Sequence, residues 1–191
     1  SSVPTFMMND LQQEYVLHDH AHILDPEAFT KVTAFVGVGS TSKVDRKLLS
    51  MFPNVKMISI FGVGYDGIDV AAVQEKGIKV THTPDVLTDD VADLAMGLIL
   101  SIGRRIPQSD KFVRNGDWVN EPFSMTHKVT GTRLGVVGLG RIGQAIAKRA
   151  TAFDMSIAYT GRRAKTNAPY RYYPTTVELA ANSDYLVVAV P

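Results

Sequence analysis

The sequence predicts an α/β fold made of two parallel-sheet domains, the second incomplete within the 191 residues. Three observations carry this reading. Short apolar runs alternate with helix-like segments along the chain, the pattern of βαβ units. The run Arg133-Leu-Gly-Val-Val137 passes straight into a turn of closely spaced glycines, then into helix-forming residues with no proline until Pro169. Tyr185-Leu-Val-Val-Ala-Val190 is almost wholly apolar, as expected of a parallel strand covered on both faces.

Composition narrows the class. The length allows one to two domains with a sizeable core. Hydrophobic residues make up 45% and charged residues 20%, and the net charge of +1 gives no reason to expect nucleic acid or an anionic membrane as partner. With no cysteine, disulfides and thiolate metal sites are excluded. Ser1-Ser-Val-Pro4 is not a basic region followed by an apolar core, so no signal peptide is visible. The longest apolar run, around Leu94 to Ile102, is well short of the ~20 residues that span a bilayer. The cytoplasm is the expected compartment.

In order, Phe6-Met-Met8 is expected to be a first strand and Tyr15-Val-Leu17 a second. Val32–Val36 is a third, closed by Gly37-Val-Gly-Ser40. Asp45–Ser50 reads as a short helix capped by Ser42 or Asp45, followed by a strand at Val55–Ile60. A helix over Ile68–Lys76 and a strand at Gly77–Val80 follow. No internal repeat or low-complexity tract is present.

His18, His20 and His22 alternate and would share one face of a strand, where in principle they could hold a metal. A polar edge or surface loop is the preferred reading, because no carboxylate cluster accompanies them, and no metal is expected. His82 and His127 are isolated and receive no chemistry. In Phe61-Gly-Val-Gly-Tyr-Asp-Gly67 three glycines fall within six residues at a strand's end. Such backbone can expose N–H groups to a carboxylate or phosphate. Spacing alone leaves that reading level with a plain tight turn.

Pro84-Asp-Val-Leu-Thr88-Asp-Asp90 opens a long helix with Thr88 or Asp89 as N-cap. Val91, Leu94, Ala95, Leu98 and Ile99 form its expected buried stripe. Arg104-Arg105 marks its exit, Pro107 starts a helix over Gln108–Arg114, and Asn115-Gly-Asp-Trp118 breaks it. An irregular arm follows. Trp118 and Phe123 on it suit either the core or an intersubunit contact. The expected domains are residues 1–103, a connecting helix and arm at 104–130, and the first half of a nucleotide domain at 131–191.

Gly138-Leu-Gly140-Arg-Ile-Gly143 has the G-x-G-x-x-G spacing between a strand and a helix. The first glycine allows the tight turn and the second lets backbone approach a pyrophosphate. The third lets helix and strand pack closely, with the helix N-terminus facing the phosphates. This context predicts a Rossmann dinucleotide site. The next strand, Met155–Tyr159, ends in Thr160-Gly-Arg-Arg163. An acid that would take the ribose 2′-hydroxyl of NAD is missing there, and arginines can pair with a 2′-phosphate instead. NADP(H) is therefore expected in preference to NAD(H), over the plainer reading of a solvated basic turn.

Tyr170–Tyr173 is a further expected strand, Thr176–Asn182 a helix with Glu178 in a capping role, and Tyr185–Val190 the fourth strand, beside the first. A fourth strand ending near Pro191 would expose an apolar edge, from which the chain is expected to be the N-terminal part of a longer protein.

Four segments together closely resemble the D-isomer-specific 2-hydroxyacid dehydrogenases, and among them the glyoxylate/hydroxypyruvate reductases. They are Phe61-Gly-Val-Gly-Tyr-Asp-Gly-Ile-Asp69, Thr83-Pro-Asp-Val-Leu-Thr-Asp-Asp-Val-Ala-Asp93, Gly138–Gly143 and Leu186-Val-Val-Ala-Val-Pro191, in matching order over almost the whole chain. The resemblance implies two Rossmann-like or flavodoxin-like domains around a cleft, and a homodimer formed through the cofactor domain. It implies hydride transfer from NADPH to a short 2-oxo acid, giving the D-2-hydroxy acid. Carried over by position, Val63 and Gly64 would hold the substrate carboxylate through backbone N–H groups, and Thr88 would contact the nicotinamide side. Gly140, Arg141 and Ile142 would line the pyrophosphate, and Arg162 and Arg163 the 2′-phosphate. The Gly62–Gly67 turn is then functional. No residue matches the family's catalytic arginine, glutamate and histidine, so no catalytic residue is assigned in this chain and the 191 residues alone are expected to be inactive. A non-catalytic, dinucleotide-sensing protein on the same fold is the alternative from another class. A phosphoglycerate or formate dehydrogenase is a less favoured sister reading, because Tyr65-Asp66 and Thr88-Asp-Asp90 look reductase-like.

Overall fold

The structure, a computed structural model, describes residues 3–19 and 26–190. Its contacts divide the chain into two compact units between Val86 and Leu87. In the first, β1 (Ala34–Val38), β2 (Met57–Phe61) and β3 (Lys79–Thr81) form a parallel sheet in that order. Strand β2 alternates, burying Ile58 and Ile60 on one face while Met57 and Phe61 stay exposed on the other. Helices α3 (Arg46–Met51) and α4 (Val70–Glu75) contribute Leu49, Ala72 and Val73 to the core around those isoleucines. Helix α2 (Pro26–Lys31), not among the expected elements, places Phe29 edge-on to Phe52 at 4.9 Å.

Phe6-Met-Met8 is not a strand but part of α1 (Thr5–Glu14). After Thr5 this segment has no β-branched residue and consists largely of straight-chain helix formers, which outweighs its apolar start. Tyr15-Val-Leu17 has no regular structure, and Tyr15 and Val16 are exposed. His18 is exposed in the same irregular stretch, while His20 and His22 lie outside the described residues. Asp45 caps α3, accepting from the Leu48 amide at 2.8 Å. Ser42 instead accepts the Val38 N–H at 2.7 Å.

The second unit holds α5 (Thr88–Arg104), α6 (Ile106–Arg114), β4 (Arg133–Val137), α7 (Arg141–Thr151), β5 (Ser156–Thr160), β6 (Arg171–Tyr172), α8 (Thr176–Ala181) and β7 (Tyr185–Val188). Its sheet is parallel, in the order β6-β5-β4-β7, so the fourth strand lies beside the first as expected. Residues 120–130 are irregular apart from short turns.

Helix α5 departs from expectation in three ways. It belongs to the second unit rather than ending the first, so the division falls at 86–87 and not at 103–104. The cause is its buried face: Ala92, Met96 and Ile99 pack into one core with Ile146, Ala147 and Ala150 of α7. Of the expected stripe only Ile99 is fully buried, while Leu94 and Leu98 are 62% and 53% exposed. The small residues set the contact, because a Cβ at Gly103 would lie 2.7 Å from Val129 Cγ2. Thr88 is the first helical residue, and Leu87 holds the N-cap position without any side-chain bond.

Helix α8 is capped by Thr175, whose Oγ1 accepts from the Glu178 amide at 3.2 Å, so Glu178 takes part through its backbone and not its carboxylate. Strand β7 was expected to be covered on both faces. It is covered on one, with Tyr185 and Val187 against the core and Leu186 and Val188 exposed. No helix among the described residues is long and apolar enough to cross a membrane.

Candidate functional site

The glycine turn after β4 separates three physical roles. Gly138 has φ +92°, a conformation side chains rarely adopt, and a Cβ there would lie 2.6 Å from the Ala189 carbonyl oxygen. Gly143 lies one turn into α7, where a Cβ would come within 2.1 Å of the Gly138 oxygen, so only glycine lets the helix sit this close to the strand. Gly140 is different. It is the N-cap of α7 in extended backbone, no side chain caps the helix, and a Cβ there would meet nothing within 4 Å. Gly140 is exposed, and its carbonyl accepts from the Gln144 amide at 2.9 Å and from the Gln144 side chain at 3.1 Å. The space over it opens at the N-terminus of α7, the positive end of the helix dipole, where an anion is favoured.

Arg162 and Arg163 stand beside that turn. Val137 and Thr160 are register partners at the strand ends, and the Gly138 amide donates to the Thr160 carbonyl at 2.9 Å. Both arginines are exposed and form no ion pair among the described residues. The sequence reading missed two tyrosines that shape their loop. Tyr159 is 1% exposed, and its hydroxyl accepts the Lys165 amide at 2.7 Å. Tyr172 donates to the Gly161 carbonyl at 3.2 Å. Tyr159 stands alone in its strand and Tyr172 among Tyr170 and Tyr173, and neither carried a signal beyond strand propensity.

Thr88 lies half-buried at the start of α5, in the same unit as the glycine turn. Its helix is tied to α7 by Arg149, whose guanidinium reaches Asp89 at 2.9 Å and also Asp93. At the opposite ends of the strands, Arg133 binds Asp184 through Nε, Nη2 and its backbone N–H, at 3.1, 2.8 and 2.9 Å. Those hydrogen bonds hold the Asp184 carboxyl at about 2, below its ordinary 3.8, and fix the register of β4 against β7.

Val63 and Gly64 belong to the first unit, in the loop that follows β2. Gly62 precedes them with φ +151°, and a Cβ there would lie 2.9 Å from Gly39 Cα. Its amide donates to Thr83 Oγ1 at 3.1 Å and its carbonyl accepts the Thr83 amide at 3.0 Å. The Val63 carbonyl lies 3.0 Å from His82 Nδ1. The amides of Val63 and Gly64 have no hydrogen-bond partner among the described residues. Two adjacent unpartnered N–H groups can chelate a carboxylate. No group of three His, Asp or Glu side chains suited to a metal occurs among the described residues.

Comparison with known proteins accords with this geometry. Residues 96–191 match the family model described as D-isomer specific 2-hydroxyacid dehydrogenase, NAD binding domain. Glyoxylate/hydroxypyruvate reductase A of Arabidopsis thaliana is 52% identical over 160 residues, covering 84% of this chain and 51% of that protein. Hydroxyphenylpyruvate reductase of Plectranthus scutellarioides matches at the same identity and the same coverage, 52% over 160 residues. The crystal structure of an NADPH-dependent glyoxylate/hydroxypyruvate reductase from Sinorhizobium meliloti, in complex with NADP and malonate, superposes with a TM-score of 0.79. It is 41% identical, over 91% of this chain and 53% of that one. The chain spans about half the length of the curated relatives it matches. With the strand order, the close packing at Gly138 and Gly143 and these matches together, the chain belongs to the D-isomer-specific 2-hydroxyacid dehydrogenases.

Proposed function

We propose that this chain binds NADPH in preference to NADH and serves the reduction of a short 2-oxo acid, of the glyoxylate or hydroxypyruvate type, to the D-2-hydroxy acid. The observation that carries the cofactor reading is the pairing of an open Gly140 and an uncapped α7 with Arg162 and Arg163, at the point where an NAD-preferring site would carry an acid. In this reading the Gly140-Arg141-Ile142 backbone receives the pyrophosphate and Gly138 and Gly143 shape the turn. The two guanidiniums pair with the 2′-phosphate, and Thr88 lies on the nicotinamide side. Bound nicotinamide supplies the hydride. The amides of Val63 and Gly64 orient the substrate through its carboxylate, fixing which carbonyl face is presented. No residue of this chain is assigned the proton transfer, and the 191 residues alone should not turn over.

The likeness to a solved structure whose name includes NADPH and to glyoxylate/hydroxypyruvate reductases supports the same reading. The exposed Leu94, Leu98 and Ile102 on α5 support a homodimer formed through the cofactor unit, with residues 104–130 as its arm. A cytoplasmic compartment suits the cysteine-free composition. Fluorescence titration with NADPH and with NADH tests the core of the proposal. Tighter binding of NADPH is the expected result, and equal or reversed affinities would overturn the cofactor assignment.

A further inference from the structure

We infer that His82 is a positioning residue for the substrate carboxylate: it turns the Val63–Gly64 peptide so that the Gly64 N–H faces outward. This rests on the reading of Val63 and Gly64 as the carboxylate cradle. No peptide bond among the described residues is cis, so each carbonyl points opposite to the N–H of the same peptide unit. The Gly62 carbonyl accepts the Thr83 amide at 3.0 Å, which turns the Val63 N–H away from residues 82–83. The Val63 carbonyl faces His82 Nδ1 at 3.0 Å, which does the same for the Gly64 N–H. Two successive carbonyls are tied to one side, and two successive amides are therefore presented on the other.

The first tie is backbone to backbone and survives any substitution at position 83 other than proline. The second depends on one side chain. A carbonyl can only accept, so Nδ1 of His82 carries the hydrogen in this contact. The ring is braced by Tyr65, whose ring lies edge-on at 5.0 Å and 70°. His82 is half-buried, is the only described residue bonded to the Val63 carbonyl, and donates Nδ1–H whether the ring is neutral or cationic. Without it, the Val63–Gly64 peptide is free to rotate and the carboxylate must pay the entropy of fixing it.

The test uses full-length protein with NADPH bound, and oxamate as a non-reducible 2-oxo acid analogue. His82→Ala should weaken oxamate and raise KM for glyoxylate about tenfold, the worth of one oriented hydrogen bond, with kcat and NADPH affinity within about twofold of wild type. His82→Asn, whose side-chain amide can donate from nearly the same place, should restore oxamate binding to within about threefold. Gly64→Pro, which deletes the N–H itself, separates the two levels of the proposal. If Gly64→Pro weakens oxamate and His82→Ala does not, the cradle stands and the role of His82 is refuted. If Gly64→Pro also leaves oxamate unchanged, the cradle reading fails and takes the His82 proposal with it. An asparagine variant as weak as the alanine one, with NADPH affinity intact, refutes the positioning role as well.

Discussion

Substituting alanine at Gly140 and at Gly143 should produce opposite phenotypes from the same added methyl group. At Gly143 the Cβ would lie 2.1 Å from the Gly138 carbonyl oxygen, a backbone atom that cannot swing aside. The helix must lift from the strand, at a cost near the upper end of overpacking effects, about 3 kcal/mol. For a protein of this size that lowers Tm by about 6–12 °C. At Gly140 the backbone, with φ −75° and ψ −160°, suits alanine, and the Cβ meets nothing within 4 Å. A slightly poorer cap and a less flexible unfolded chain nearly cancel, so Tm should stay within about 3 °C. The same methyl group would occupy the space assigned to the pyrophosphate. Loss of one charge-assisted hydrogen bond there is worth about 1.5–3 kcal/mol, a ten- to hundredfold rise in the Kd for NADPH. Thermal melts and NADPH fluorescence titrations of both variants read these quantities directly. A Gly140→Ala protein that melts normally and binds NADPH as tightly as wild type would refute the placement of the pyrophosphate.

Three further perturbations test other parts of the account. Replacing Arg162 and Arg163 together by alanine should weaken NADPH about a hundredfold and NADH no more than about threefold, and equal losses in paired titrations would sink the 2′-phosphate assignment. The Asp184 carboxyl is held at about 2 by Arg133, against an ordinary 3.8. A lowered folded-state value gives stability that is present above the ordinary value and is lost as pH falls towards about 2. Asp184→Asn should therefore lose stability at neutral pH and show a flatter fall of Tm across that acid window, and an unchanged slope would contradict the ion-pair origin. Leu98→Asp, on the exposed face of α5, should shift the mass seen by light scattering from dimer to monomer while leaving the melt of the cofactor unit intact. A persistent dimer would place the interface elsewhere.

The parts of the fold that were legible in sequence are those where one periodicity had no rival. The glycine turn was readable because strand, spacing and helix all occur within fifteen residues, and Gly138 and Gly143 meet the steric demands expected of them. The α/β alternation gave strands β1 to β5 and β7 to within a few residues. Phe6–Met8 failed because three apolar residues in a row carry no period, and the helix formers after them decided the outcome. The stripe on α5 failed for another reason: large apolar residues were taken to be the buried ones, whereas Ala92 and Gly103 let α7 and Val129 come close and leave the leucines outside. His82 could not be read at all. Its role depends on β3 running parallel to β2, which brings residues 82–83 beside the loop after Phe61, nineteen residues away from Val63 in sequence.

Turnover by the full-length protein is the decisive measurement for NADPH-preferring reduction of short 2-oxo acids. Glyoxylate and hydroxypyruvate are each offered with NADPH and with NADH, following loss of reduced-cofactor absorbance and the configuration of the product. Oxidation of NADPH well in excess of NADH is expected, with a D-configured product from hydroxypyruvate. A folded protein that binds NADPH but oxidises neither cofactor with either acid would contradict it, and would favour a dinucleotide-sensing role on the same fold.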